Sequence, residues 1–215
     1  VGDFSDKGLY AAMFMMKAKM QDLDLLLSLP IKHISTYSLS INPNTAFYIK
    51  KIPQPNDDKL REYYDYSHTR MSEAGFIHYE VSNFSKPNYQ SKHNFTYWKN
   101  QQYLGVGLGA ASYIGNIRSK NTLSITDYIK GINNKEIEEL TPKDDRTYYI
   151  MLNLRTNEGI DLDFFLTKYK ENLLITKEAE INNFINQKLL ILDKNHLFPT
   201  YEGMMVLDQI ILKLI

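Results

Sequence analysis

Four residues close together, His93, Asn94, Tyr97 and Trp98, hold the densest chemistry in the chain. Trp98 is the only tryptophan, and Phe95 and Tyr103 add to the aromatic cluster around it. A neutral imidazole can ligate a haem iron, so His93 is a candidate iron ligand. Aromatic faces such as those of Tyr97 and Trp98 can stack on a flat macrocycle. The same residues also suit a purely structural role, with His93 bonded to backbone in a loop and Trp98 filling an apolar gap. The residue types by themselves leave both readings open. No Ser–His–Asp order and no H-E-x-x-H run occurs. His33 and His78 lie at or in strand-like segments without a partner pattern, which points to structural roles. The carboxylate pairs Asp57-Asp58 and Asp144-Asp145 stand at helix starts, where the helix dipole explains them.

The segment carrying these residues, 83–100, is polar, aromatic and broken by Pro87. It reads as a long loop leaving the carboxyl end of a strand, the edge where α/β folds place their sites. The small residues that follow, Gly105, Gly107, Gly109, Ala110 and Ala111, allow close backbone approach to a ligand or to another element. Their spacing is neither a phosphate loop nor a dinucleotide fingerprint.

Upstream, Leu9, Met13, Met16, Met20, Leu23 and Leu27 recur at helical steps, so 9–29 reads as one helix with Ser5 or Asp6 as cap and Pro30 as its stop. Residues 33–41 alternate as a strand, 57–74 form a helix capped by Asn56 or Asp57, and 77–82 alternate again. Strand, helix and strand make one βαβ unit, which belongs in a larger parallel sheet. Downstream, a short helix is expected at 125–132. Thr141-Pro142-Lys143-Asp144 starts another with a capping box, and it runs to about Thr156. Further helices follow at 162–169, 176–189 and 201–214. Leu190–Leu192 and Leu197–Pro199 flank a tight turn, a hairpin pattern. Helices with a late hairpin suggest a winged helix.

The totals narrow the function classes. The 215 residues carry 25 basic and 25 acidic side chains, so no charge excess marks a nucleic-acid or anionic-membrane partner. Residues 177–215 hold Lys177, Lys188, Lys194 and Lys213 against five acids, against DNA binding by the hairpin region. There is no cysteine, which excludes disulfides and thiolate-held clusters in this chain. No apolar run is long enough for a membrane span, and no secretory signal is evident. A cytoplasmic protein is the expectation. An exposed edge of a partial sheet would favour self-association.

Four stretches carry a resemblance: His33-Ile34-Ser35-Thr36-Tyr37-Ser38-Leu39; Tyr79-Glu80-Val81-Ser82-Asn83-Phe84-Ser85-Lys86-Pro87; the H-N-x-x-Y-W run at 93–98; and Tyr103 to Ala110. Together they resemble the HemW haem-chaperone family. This is a branch of the oxygen-independent coproporphyrinogen III oxidase-like group of radical S-adenosylmethionine proteins. The resemblance runs from about Met20 to the end and includes Leu154-Arg155 and Gly159-Ile160-Asp161.

The resemblance implies an α/β fold: the last βα units of a partial (β/α) radical-SAM-type barrel over 20–120, then a helical, winged-helix-like domain over 121–215. Residues 1–19 do not match, and the chain is expected to start after the first several βα units. Full-length members hold S-adenosylmethionine and a 4Fe-4S cluster on a C-x-x-x-C-x-x-C motif, which is missing here. By resemblance, His93, Asn94, Tyr97 and Trp98 take haem, with His93 on the iron, while Ser85 and Ala111 contact S-adenosylmethionine. The expected activity is haem binding and delivery to a haem-accepting protein. The alternatives are a part of a coproporphyrinogen III oxidase-like radical enzyme in porphyrin biosynthesis, and a nucleic-acid or protein-binding module at the C-terminal hairpin.

Overall fold

A computed structural model describes residues 11–14, 20–38, 40–43, 45–51, 56–132 and 135–215. The chain divides into two compact units, 1–90 and 91–215.

The first unit contains β1 (Ala11–Phe14), α1 (Met20–Leu27), β2 (His33–Thr36), α2 (Ala46–Ile49), α3 (Asp57–Glu73), β3 (Ile77–Glu80) and β4 (Asn83–Ser85). Its sheet runs β1-β2-β4-β3. β1 is parallel to β2, whereas β4 is antiparallel to both β2 and β3. β2 and β3 therefore run the same way, as a βαβ unit requires, but β4 lies between them. The expected loop after residue 82 begins instead with this central strand. Its three residues are all buried, so it shows no in–out alternation to betray it.

The helix expected over 9–29 is corrected. Residues 11–14 are a strand, and the helix begins at Met20. A short apolar run does not distinguish strand from helix, and here the neighbouring β2 supplies the hydrogen bonds. The proposed caps Ser5 and Asp6, together with Leu9 and Met16, lie outside the described residues. β2 stops at Thr36 rather than running to Ile41.

α3 behaves as its ends demand. The Asn56 side chain accepts from the Lys59 N–H. At the other end Gly75 has φ +76°, its N–H bonds Ser72 O, and the Phe76 N–H reaches back to Met71 O. That is a Schellman stop. It delivers Phe76 into a core of Leu23, Ile31, Ile34, Met71 and Phe84.

The second unit opens with α4 (Lys92–Trp98), β5 (Ala111–Ile114), β6 (Ile117–Lys120), α5 (Ile125–Ile129) and β7 (Glu136–Glu139). Strands β5-β6-β7 form an antiparallel sheet in that order. The sequence gives little sign of β7, since Glu-Ile-Glu-Glu is exposed throughout. It forms because β6 offers opposite charges across the ladder, Arg118 facing Glu138 and Lys120 facing Glu136.

Next come α6 (Pro142–Asn153), β8 (Ile160–Asp161), α7 (Leu162–Tyr169), α8 (Leu173–Thr176), α9 (Glu178–Asn186), β9 (Leu190–Asp193), β10 (His196–Pro199), α10 (Tyr201–Met205) and α11 (Leu207–Leu214). α6 has its capping box, Thr141 with Asp144. β9 and β10 are the expected hairpin, turned by Lys194 and Asn195 with φ 45° and 65°. The third sheet runs β8-β10-β9. The expected 201–214 helix is interrupted at Val206, where φ is −119°. Its core includes Ile150, Leu154, Ile160, Phe165, Leu197, Ile210 and Leu214.

Candidate functional site

The H-N-x-x-Y-W run is helical, which corrects the loop expectation. Ser91 caps α4 by accepting from the Asn94 N–H at 3.2 Å. Seven residues make only two turns, too few for an apolar period to show. Helical spacing sets His93 and Tyr97 on one face. Their rings meet edge-on at 4.9 Å, and Tyr97 in turn meets Tyr103 edge-on at 4.5 Å. His93 is exposed, while Tyr97 and Trp98 are half-buried. The Trp98 indole N–H is buried and has no hydrogen-bond partner among the described residues. An accessible imidazole backed by a tyrosine ladder can present one nitrogen to a ligand.

Of the six residues expected at a site, α4 carries four: His93, Asn94, Tyr97 and Trp98. Ser85 ends β4 in the first unit, fully buried, and its hydroxyl has no partner among the described residues. Ala111 starts β5 in the second unit and is exposed. The glycine run serves packing at Gly105, whose N–H donates to Ser112 Oγ. A methyl group there would sit 2.0 Å from the Ala111 carbonyl oxygen.

One cluster escaped sequence reasoning. Asp144 belongs to the capping box, but its neighbour Asp145 does not. Asp145 Oδ1 accepts from Asn100 Nδ2 at 2.9 Å and from the Tyr113 hydroxyl at 2.8 Å. Its Oδ2 accepts from the Tyr169 hydroxyl at 2.8 Å and pairs with Lys168 Nζ at 2.7 Å. Burial works to raise the pKa of this carboxyl, but hydrogen bonds from Lys168, Tyr113 and Tyr169 outweigh it and hold the value below the usual range. Burial, then the bond to Asp145, pushes the Tyr113 hydroxyl up to about 12. The guanidinium of Arg118 lies between the rings of Tyr113 and Tyr148, 4.3 and 4.1 Å from their centroids. An open cleft of about 610 Å³ runs past Asn100, Tyr113, Asp145, Lys168 and Tyr169. Only the adjacent acids at 144 and 145 hinted at it.

Among the described residues no group of three or more histidines and carboxylates could hold a metal ion, and no helix is long and apolar enough to cross a membrane.

Residues 140–206 match the HemN C-terminal domain. Over 195 residues the chain is 34% identical to a protein of Lactococcus lactis named heme chaperone HemW, covering 87% of this chain and 52% of that one. The Bacillus subtilis heme chaperone HemW is 29% identical over 204 residues, 91% of this chain and 54% of its own. The chain is a relative of heme chaperone HemW. It spans about half the length of the HemW proteins it matches. The mouse mitochondrial protein named radical S-adenosyl methionine domain-containing protein 1 is 29% identical over 91% of this chain and 49% of its own.

A solved structure shares the fold. A structure of the Escherichia coli coproporphyrinogen III oxidase HemN, a radical SAM enzyme, superposes with a TM-score of 0.70 at 14% identity. That match covers 90% of this chain and 50% of the enzyme. The α/β architecture expected from the sequence is thus that of HemN. A thiolate-held iron–sulfur cluster does not fit the residues present, since the chain has no cysteine.

Proposed function

We propose that this chain binds haem on the exposed face of α4 and passes it to an acceptor protein. His93 is the axial ligand, and Tyr97 and Trp98 supply the aromatic wall beside the macrocycle, with Asn94 as a polar neighbour. The observation that carries the reading is the accessible His93 imidazole, held edge-on by Tyr97 and, behind it, Tyr103. The similarity to proteins named heme chaperones supports it. Exposure favours delivery over permanent retention, because a ligand on an open face can be exchanged without unfolding its seat.

Ser85 is the better of the two candidate contacts for S-adenosylmethionine. Its buried hydroxyl has a hydrogen-bonding capacity that the described residues do not fill. Ala111 contributes no polar side chain. With no cysteine present, reductive cleavage of S-adenosylmethionine is not assigned to this chain.

The test is a titration of ferric haem into the full chain, followed by its Soret band. A shifted band that is lost or displaced in His93→Ala is expected. A band that His93→Ala leaves unaltered would overturn the assignment.

A further inference from the structure

A seven-residue helix is too short to hold its own position; α4 must be oriented by what grips its ends. Its carboxyl end is gripped in an unusual way. Beyond Trp98 and Lys99 the chain turns through Asn100 in the left-handed region, φ 51°. The Asn100 N–H bonds Tyr97 O and the Gln101 N–H bonds Thr96 O, closing a Schellman stop. Glycine is the residue of least strain there, and asparagine the usual substitute.

What asparagine adds is a side chain, and this one is buried. Its Nδ2 donates to Asp145 at 2.9 Å and its Oδ1 accepts from Arg118 Nη2 at 2.5 Å. A carboxamide can do both at once, its NH2 donating to a carboxylate and its oxygen accepting from a guanidinium. Both partners are themselves immobilised. Arg118 is clamped between two tyrosine rings, and Asp145 is held by Tyr113, Tyr169 and Lys168. The last residue of the turn is therefore tied to β6 and to the first turn of α6 by hydrogen bonds to charged groups, the stronger kind.

We propose that Asn100 and Asp145 are positioning residues for the α4 face: they set the rotation of the helix and hence where His93 points. Slipping the anchor by one residue would swing His93 by about 100° around the helix axis. The inference rests on the haem reading for its ligand, but the anchoring of α4 can be measured without haem.

Trp98, the sole tryptophan, sits two residues before the anchor and reports on α4 alone. Asn100→Gly keeps the backbone turn and removes the tether. In the full chain, N100G is expected to red-shift Trp98 emission and raise its acrylamide quenching about twofold, with the thermal transition retained. Ferric haem affinity should fall about fivefold to tenfold, and H93A/N100G should bind no more weakly than H93A. If N100G loses the thermal transition, Asp145→Asn, of nearly equal volume, carries the same readouts. Unchanged Trp98 emission together with unchanged haem affinity overturns the proposal. A Trp98 shift with a Soret band indifferent to His93→Ala upholds the anchoring of α4 and overturns the haem reading instead.

Discussion

His78 lies flat on Phe84, with ring centroids 4.0 Å apart and planes 6° from parallel. This contact packs a partly buried imidazole against the core of the first unit, beside His68 at 5.3 Å. Burial is the main cause that lowers the His78 pKa from 6.5 to about 4. Burial likewise lowers His33 and His68. A histidine whose folded pKa is depressed favours its neutral form in the folded state. The stability it contributes is present above the unfolded value and is lost as pH falls through the folded one. The first unit should therefore weaken between about pH 6.5 and pH 4, by on the order of 3 kcal/mol from His78 alone. Histidine titrations by NMR alongside urea melts check this. A His78 imidazole titrating near its ordinary value would refute it.

Asp145 should act at lower pH and in the second unit. Its folded pKa lies below the ordinary carboxylate value, so its contribution is present above the unfolded value and fades as acid protonates the folded carboxyl. Tyr113, raised to about 12, works at the alkaline end. Its contribution is complete below pH about 10 and falls as pH rises to 12. Asp145→Asn should flatten the acid limb of the stability profile and lower the Tyr113 pKa, both readable by denaturant melts and tyrosinate absorbance.

Gly105 and Gly115 separate two costs of adding a methyl group. At Gly115 φ is +63° and nothing lies within 4 Å of the added carbon, so Gly115→Ala should cost about 1 kcal/mol of backbone strain. At Gly105 the added carbon meets the Ala111 carbonyl, and the loop must leave β5. Gly105→Ala should cost about 2–4 kcal/mol and release the Gly105–Ser112 bond. Chemical denaturation of both variants measures the difference; equal costs would contradict the close packing.

β7 is the outer strand of its sheet and carries Glu136, Glu138 and Glu139, all exposed. Charged edges discourage pairing between copies. Replacing Glu136 and Glu139 with valine should raise self-association, seen as a larger weight-average mass in sedimentation. A double variant that sediments like the parent would locate any association elsewhere.

Features that depend on near neighbours are legible along the chain. The Asn56 cap, the Thr141–Asp144 box and the Lys194–Asn195 hairpin turn all join residues a few positions apart, so their partners are visible along the chain. The motif stretches that carry the HemW resemblance are legible in the same way. Other features arise only once distant segments pack together. Residues 11–14 are a strand because β2 offers them parallel hydrogen bonds, and β4 is central because β2 and β3 flank it. The His93 run folds into a two-turn helix that no periodicity could announce. Asp145, which sequence position assigns to a helix start, instead serves Asn100, 45 residues away. Hydrogen bonds across such separations depend on how the chain folds back, and spacing along the sequence carries no record of that.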